Sequence, residues 1–273
     1  MKPMIPIVLA FFLVPMLAVR AAERSGSAVT DPGFHFVEVK GEHGVVKGTI
    51  YVPRGLDTSK GAPCLVFLNG YGECGTDGLK NLGVGLPNAI VWDAARWPFV
   101  VVMPQKPVYD MEWDAYEDAV LAMLDLAVAE YGADPDRVGV TGLSQGGHGT
   151  IAIATHHPER FKAAAPVCGY TFSHFNDKGE RVSRDEAAAE RRLTEASSAM
   201  KGMAVWIFHG GRDDVVSPDE SRNLHEALVH AGAEDVKLTI FPEDNHNSWD
   251  SAYRKSGLWD WFTQRLSKDK TDD

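Results

Sequence analysis

Two hydrophobic periodicities alternate along most of the chain. From Phe34 to Lys40 apolar and polar residues take turns, and Val45 to Val52 is rich in β-branched and aromatic residues. With Gly41 to Gly44 turning between them, the two stretches predict a hairpin. Short apolar runs follow: Cys64 to Leu68, Phe99 to Met103, Val138 to Thr141, Ala163 to Cys168, Ala204 to Phe208 and Val236 to Phe241. Runs this uniformly apolar suit strands buried on both faces, and hence a mostly parallel sheet covered by helices. Helical patterns lie between them. Trp113, Tyr116, Val120, Met123, Leu124 and Ala127 form one stripe, which Gly132 ends. Ser217 to Ala231 has Pro218 in its first turn, Leu224 and Leu228 on one face, and Gly232 as its stop. Leu258 to Leu266 closes the chain on a further helix. An antiparallel N-terminal hairpin followed by repeated strand–helix units predicts an α/β fold with a doubly wound, mostly parallel sheet.

One stretch breaks the rhythm. Gly169 to Lys201 begins with the aromatics Tyr170, Phe172 and Phe175, then turns charged from Lys178 to Glu195. Arg184 to Ser198 reads as a polar surface helix, and loop-length statistics favour a solvated crossover here over a lid.

Composition narrows the class. The chain has 273 residues, 44% hydrophobic and 24% charged, which suits a globular core and excludes a disordered, collagen-like or coiled-coil protein. Lysine and arginine total 27 against 38 acidic residues, a net charge of -11. Such a surface repels phosphate backbones and anionic headgroups, so no nucleic-acid or membrane-surface partner is expected. Residues 1–21 read as an export signal: Lys2 is followed by an apolar run from Met4 to Val19, and Val19 with Ala21 gives small-residue cleavage spacing. The run is shorter than the about 20 residues a span needs, and Pro6 and Pro15 interrupt it. The expectation is a single catalytic domain over 22–273, secreted or periplasmic, with no stable membrane insertion after cleavage. Cys64, Cys74 and Cys168 are too few for a disulfide scaffold, and their odd number leaves at least one thiol unpaired.

The chemistry gathers in three places. Gly142-Leu143-Ser144-Gln145-Gly146 fits G-x-S-x-G, between a strand-like run and a helix-compatible one. A strand turning sharply into a helix there lifts the Ser144 hydroxyl above the sheet edge, as a nucleophile requires. A serine attacks poorly unless a base takes its proton and a carboxylate orients that base. Asp213 follows the run Ala204 to Phe208, and His246 follows the run Val236 to Phe241. Asp213 is preferred to its neighbour Asp214 on position in the turn, and His209 lies too early to be the base. The order Ser, Asp, His, each just past a strand, brings three distant residues to one edge. The oxyanion donors expected are the amide of Gln145 and, from the loop Asn69-Gly70-Tyr71-Gly72-Glu73, that of Tyr71. Tyr170, Phe172 and Trp249 are candidates for an acyl or aryl pocket. His156, His157, His225 and His230 read as surface residues, and no motif implies a metal or organic cofactor.

These residues carry a resemblance. The chain resembles the α/β-hydrolase superfamily, and within it the secreted "predicted peptidase" and esterase group near the phospholipase/carboxylesterase and feruloyl-esterase-like enzymes. It rests on Asn69 to Gly75, Trp113-Asp114, Asp134 to Val138, Thr141 to Gly149, His157 to Phe161, His209 to Val216, and His246 with Ser248-Trp249. Asn69-Gly70 stands where such families usually have His-Gly, and Cys74 where they often have Arg. The resemblance implies Ser144, Asp213 and His246 as a triad and an acyl-enzyme route on small-molecule or polysaccharide-linked esters, acetyl or feruloyl among them. Two other readings are a prolyl-oligopeptidase-type peptidase and a non-catalytic binding protein on the same scaffold. The about forty mature residues expected before the first core strands are too few for the propeller that screens substrates in such peptidases.

Overall fold

The computed structural model describes residues 31–176, 178–183 and 185–268. The expected signal, 1–21, lies outside them. Strands β1 (Gly33–Gly41) and β2 (Gly44–Val52) form the predicted hairpin. They are followed by β3 (Ala62–Leu68), α1 (Leu86–Trp92), β4 (Val100–Pro104), α2 (Glu117–Glu130), β5 (Ala133–Leu143) and α3 (Gln145–His156). The chain then runs through β6 (Ala163–Val167), α4 (Glu186–Met200), β7 (Ala204–Gly210), α5 (Pro218–His230), β8 (Val236–Phe241), α6 (Trp249–Lys255) and α7 (Leu258–Arg265). The sheet order is β1-β2-β4-β3-β5-β6-β7-β8. Pairing is antiparallel from β1 to β2 and from β2 to β4, and parallel across the rest. The expected sheet is therefore the one observed.

Uniformly apolar strands divide their side chains between two cores, because successive residues point to opposite faces. Cys64, Val66 and Leu68 of β3 pack with Val120 of α2, Ile153 of α3 and Leu224 of α5. Leu65 and Phe67 pack with Leu86 of α1, Tyr253 of α6 and Phe262 of α7. Each such side chain contributes roughly 1.5–3 kcal/mol on burial. That double cover makes the strands rigid supports for whatever follows their ends.

The predicted caps of α5 are in place: the Ser217 side chain accepts from Asp219 N–H, Pro218 opens the helix, and Gly232 beyond its end has φ 87°. The stripe from Trp113 is split, with Trp113–Tyr116 in a 3₁₀ turn and the α-helix starting at Glu117. Helices α1 and α6 escape the sequence reading because seven residues are too few to establish a 3.6-residue period. Cys64, Cys74 and Cys168 are all free thiols. Among the described residues, no helix is long and apolar enough to cross a membrane.

Between β6 and α4 the chain makes an excursion that includes more than the expected helix. Asn176 N–H donates to Glu180 O at 3.0 Å and Val182 N–H to His174 O at 3.0 Å, with Phe175 bridged to Arg181. This is a small hairpin, standing ahead of α4, whose Asp185 cap accepts from Ala188 N–H at 3.1 Å.

Candidate active site

Because β3, β5, β7 and β8 run parallel, their carboxyl ends open on one edge of the sheet, and every predicted relay residue lies in a turn just beyond it. Ser144 sits between β5 and α3 with φ 55° and ψ −117°, a conformation that side chains rarely adopt. The two flanking glycines permit it. A Cβ on Gly142 would collide with the Gly146 carbonyl, and one on Gly146 with the carbonyl of Leu68 at the end of β3. Ser144 N–H donates to Val167 O at 2.9 Å, which pins the turn to β6 as well.

The turns after β7 and β8 are joined through their backbones, Gly211 N–H donating to Phe241 O at 2.7 Å and Arg212 N–H to Asp244 O at 2.9 Å. Asp213 and His246 are thereby set side by side. His246 Nδ1 is 2.7 Å from Asp213 Oδ2, and His246 Nε2 is 2.9 Å from Ser144 Oγ. A carboxylate can only accept, so Nδ1 carries the proton and Nε2 is free to receive the one on Ser144. Asp214, the rejected alternative, is exposed to solvent.

Asp213 is held by more than His246. Its Oδ1 accepts from Val215 N–H and Val216 N–H, both at 2.9 Å, and its Oδ2 lies 3.1 Å from His209 Nε2. His209 is fully buried, with Nε2 also 3.1 Å from Val216 O and Nδ1 2.7 Å from Ser221 Oγ. Both neighbours of Nε2 are acceptors, so that nitrogen is the donor. Burial disfavours the Asp213 carboxylate, but donation from His209, His246, Val216 and Val215 outweighs it and holds the carboxyl well below the usual range. His209, too early in the chain to be the base, is therefore a second hand on the acid.

Gln145 opens α3, where the first-turn N–H groups have no acceptor within the helix. Its side chain has a further role: Nε2 donates to Tyr109 O at 3.0 Å and Met111 O at 3.3 Å, fastening the loop after β4. That loop is folded around Lys106, a fully buried ammonium that donates to Val108 O at 2.7 Å and to Met111 O. Burial lowers its pKa below the ordinary lysine value. Tyr71 starts a 3₁₀ turn after β3. Asn69 braces that turn, its Nδ2 donating to Gly70 O at 2.8 Å and its Oδ1 accepting Lys106 N–H at 3.1 Å. Both expected oxyanion donors line the same cavity as Ser144 and His246.

That cavity measures about 480 Å³. Trp249 forms part of its wall, edge-on to His246 with ring centroids 5.5 Å apart. Tyr170 lines it too, sandwiched between His148 at 4.7 Å and His174 at 4.2 Å. Its hydroxyl donates to Glu112, 3.1 Å from each carboxylate oxygen, and Glu112 also accepts His174 N–H at 2.9 Å. Phe172 requires a correction. It is buried and stands outside the cavity lining, because Thr171 is anchored to Glu220 of α5 through its N–H and its hydroxyl; Phe175 on the hairpin lines the cavity instead. The excursion before α4 is thus part of the cavity wall, where a plain solvated crossover was expected.

Among the described residues one trio of metal-ligating types lies within mutual reach: Cys168, Asp213 and His246. Two of these are engaged with Ser144 and each other, and burial holds the Cys168 thiol far above its ordinary pKa, so its sulfur stays protonated. His156 and His157 share Glu117 on the surface, away from this cavity.

The model of the prolyl oligopeptidase family matches residues 110–269, more than half of the chain and inclusive of Ser144, Asp213 and His246. The chain belongs to that family. Among curated proteins this family member is similar to the probable acetylxylan esterase A of Aspergillus terreus, 32% identical over 198 residues, 62% of each chain. It is also similar to the probable acetylxylan esterase A of Neosartorya fischeri, 25% identical over 195 residues that cover 62% of this chain and 51% of that one. Feruloyl esterase B of Neurospora crassa is 31% identical over 137 residues, 46% of this chain and 44% of that one. The chain spans about half the length of the curated relatives it matches. Among solved structures, a thermostable esterase superposes with TM-score 0.66 at 24% identity, over 85% of this chain and 62% of that one. The acylaminoacyl peptidase of Pyrococcus horikoshii gives 0.64 at 18% identity, over 88% and 42%. These likenesses show that the sheet and its helices take the α/β-hydrolase fold.

Proposed function

We propose that this chain is a serine hydrolase that cleaves carboxylic esters through an acyl-enzyme on Ser144. The observation that carries the proposal is the continuous hydrogen-bond relay from Ser144 Oγ through His246 to Asp213. In this reading Oγ attacks the ester carbonyl as His246 Nε2 takes its proton, and Asp213 stabilises the imidazolium that forms. The oxyanion of the tetrahedral intermediate meets, in this reading, the amides of Gln145 and Tyr71, both of which belong to residues lining the cavity. Collapse expels the alcohol, protonated by His246, and a water then repeats the cycle on the acyl-enzyme. The names of the esterase relatives support an ester, small or attached to polysaccharide, as substrate. Export through a signal at 1–21 and a single catalytic domain over 22–273 belong to the same proposal.

The family name and the acylaminoacyl peptidase likeness favour one rival, a peptidase. A fluorophosphonate probe on the purified protein, followed by rates on short p-nitrophenyl esters beside peptide amides, separates the readings. Labelling at Ser144 with ester turnover exceeding amide turnover is the expected result. Amide turnover exceeding ester turnover would make the chain a peptidase, and a protein that resists labelling would be a binding protein on this scaffold.

A further inference from the structure

The wall of the cavity holds a cation with no evident use in bond cleavage. Arg181 lies on the second arm of the 174–182 hairpin, opposite Phe175, and lines the cavity along with Ser144 and His246. Its backbone position is fixed by the hairpin's own hydrogen bonds and by the hold of Glu112 on His174 N–H at the hairpin's base. No carboxylate among the described residues forms an ion pair with it, although the chain carries 38 acidic residues against 27 basic ones. Its neighbours in the wall are largely aromatic: Tyr71 and Tyr109, whose ring centroids are 4.7 Å apart, with Phe175 and Trp249. The carboxyl among the lining residues is Glu73, on the loop after β3, and burial raises its pKa, which shifts it towards the neutral form.

A guanidinium in the wall of a largely aromatic cavity, with no carboxylate among the described residues paired to it, is matched by a planar anion that can take two of its N–H groups. We propose that Arg181 is a substrate-binding residue that selects esters carrying a carboxylate beside the scissile bond. The aromatic walls hold the apolar part of such a substrate, and Arg181 receives its charged end. The field of the guanidinium is already felt by its neighbour: His174 has a lowered pKa, chiefly through burial, with Arg181 among the charges that oppose its protonation. Of the charged side chains described on the hairpin, Arg181 is the one that lines the cavity. The inference rests on the ester-hydrolase reading and adds the class of ester.

The test uses two matched pairs of esters, so that intrinsic reactivity cancels. One pair places the charge on the acyl side, p-nitrophenyl hemiglutarate against p-nitrophenyl valerate; the other places it on the alcohol side, 4-acetoxybenzoate against 4-acetoxybenzamide. The ratio of kcat/KM, anionic over neutral, is measured for the wild type and for Arg181→Gln, Arg181→Lys and Arg181→Glu, with circular dichroism to verify folding. In at least one pair the ratio is expected to fall about fivefold in Arg181→Gln, further in Arg181→Glu, and less in Arg181→Lys. Added salt should depress the wild-type ratio and leave that of Arg181→Gln flat. Equal ratios in wild type and Arg181→Gln for both pairs would overturn the proposal while leaving ester hydrolysis intact. A folded wild type that turns over none of the four esters would overturn both readings together.

Discussion

Two walls of one cavity are built on different terms. The relay wall consists of turns bolted to strand ends: Ser144 is fixed by the contacts of Gly142 and Gly146 with neighbouring backbone, and Asp213 by four donors. The facing wall is the excursion between β6 and α4, a polar hairpin on a stack of three rings, with Arg181 and Phe175 reaching into the cavity. Backbone approach admits no side-chain variation, whereas a hairpin tip can exchange residues without moving the sheet. The comparison teaches a division of labour, with the proposed bond cleavage on the wall that cannot change and the proposed selection on the wall that can.

Substitutions that break this comparison act first on the relay. Ser144→Ala should lower ester kcat by at least about 10⁴-fold with folding unchanged by circular dichroism. Asp213→Asn, which offers the imidazole the wrong tautomer, should cost about 10⁴-fold in kcat with little change in KM. The excursion's anchor is next, through stability. Burial disfavours protonated His148, but Glu112 and Asp114 outweigh it and raise its pKa to about 8. The stability supplied by the charged form is complete below the unfolded value of about 6.5 and is lost as the pH passes about 8. Thermal unfolding should therefore report a loss of about 2 kcal/mol between pH 6 and pH 9, and His148→Gln should flatten that slope. His209→Gln should reduce kcat about tenfold, since Asp213 keeps its other donors, and KM should stay put. Smallest of all, Phe175→Ala should raise KM about threefold for aryl esters and Phe172→Leu should leave it unchanged, a split that steady-state kinetics can read.

The relay was legible because each member follows a strand whose apolar run announces itself, and because a parallel sheet gathers such turns at one edge. The six core strands were legible for the same reason, and the hairpin through its alternation and its glycine turn. What escaped depends on partners far along the chain. Tyr170 finds Glu112 across 58 positions, His174 finds it across 62, and the Gln145 side chain reaches back 36 to Tyr109. No periodicity encodes such pairs. Phe172 as a pocket candidate rested on aromatic type, which says nothing about which side of an irregular segment faces inward, and here the Thr171 anchor to Glu220 decides it. The sequence shows His209 to be too early for the base, yet its hold on Asp213 follows only from the turn that folds residue 213 back beneath it.

The fit between Leu68 and Gly146 carries one more consequence. The end of β3 leads directly to the loop that bears Tyr71, while Gly146 follows Gln145 in the first turn of α3, so the two peptide groups proposed to meet the oxyanion are mounted on segments already touching main chain to main chain. Their spacing is then a property of the polypeptide itself, insensitive to which side chains occupy the surrounding loops. A methyl group at position 146 would wedge them apart, and both halves of the anion's cradle would drift together.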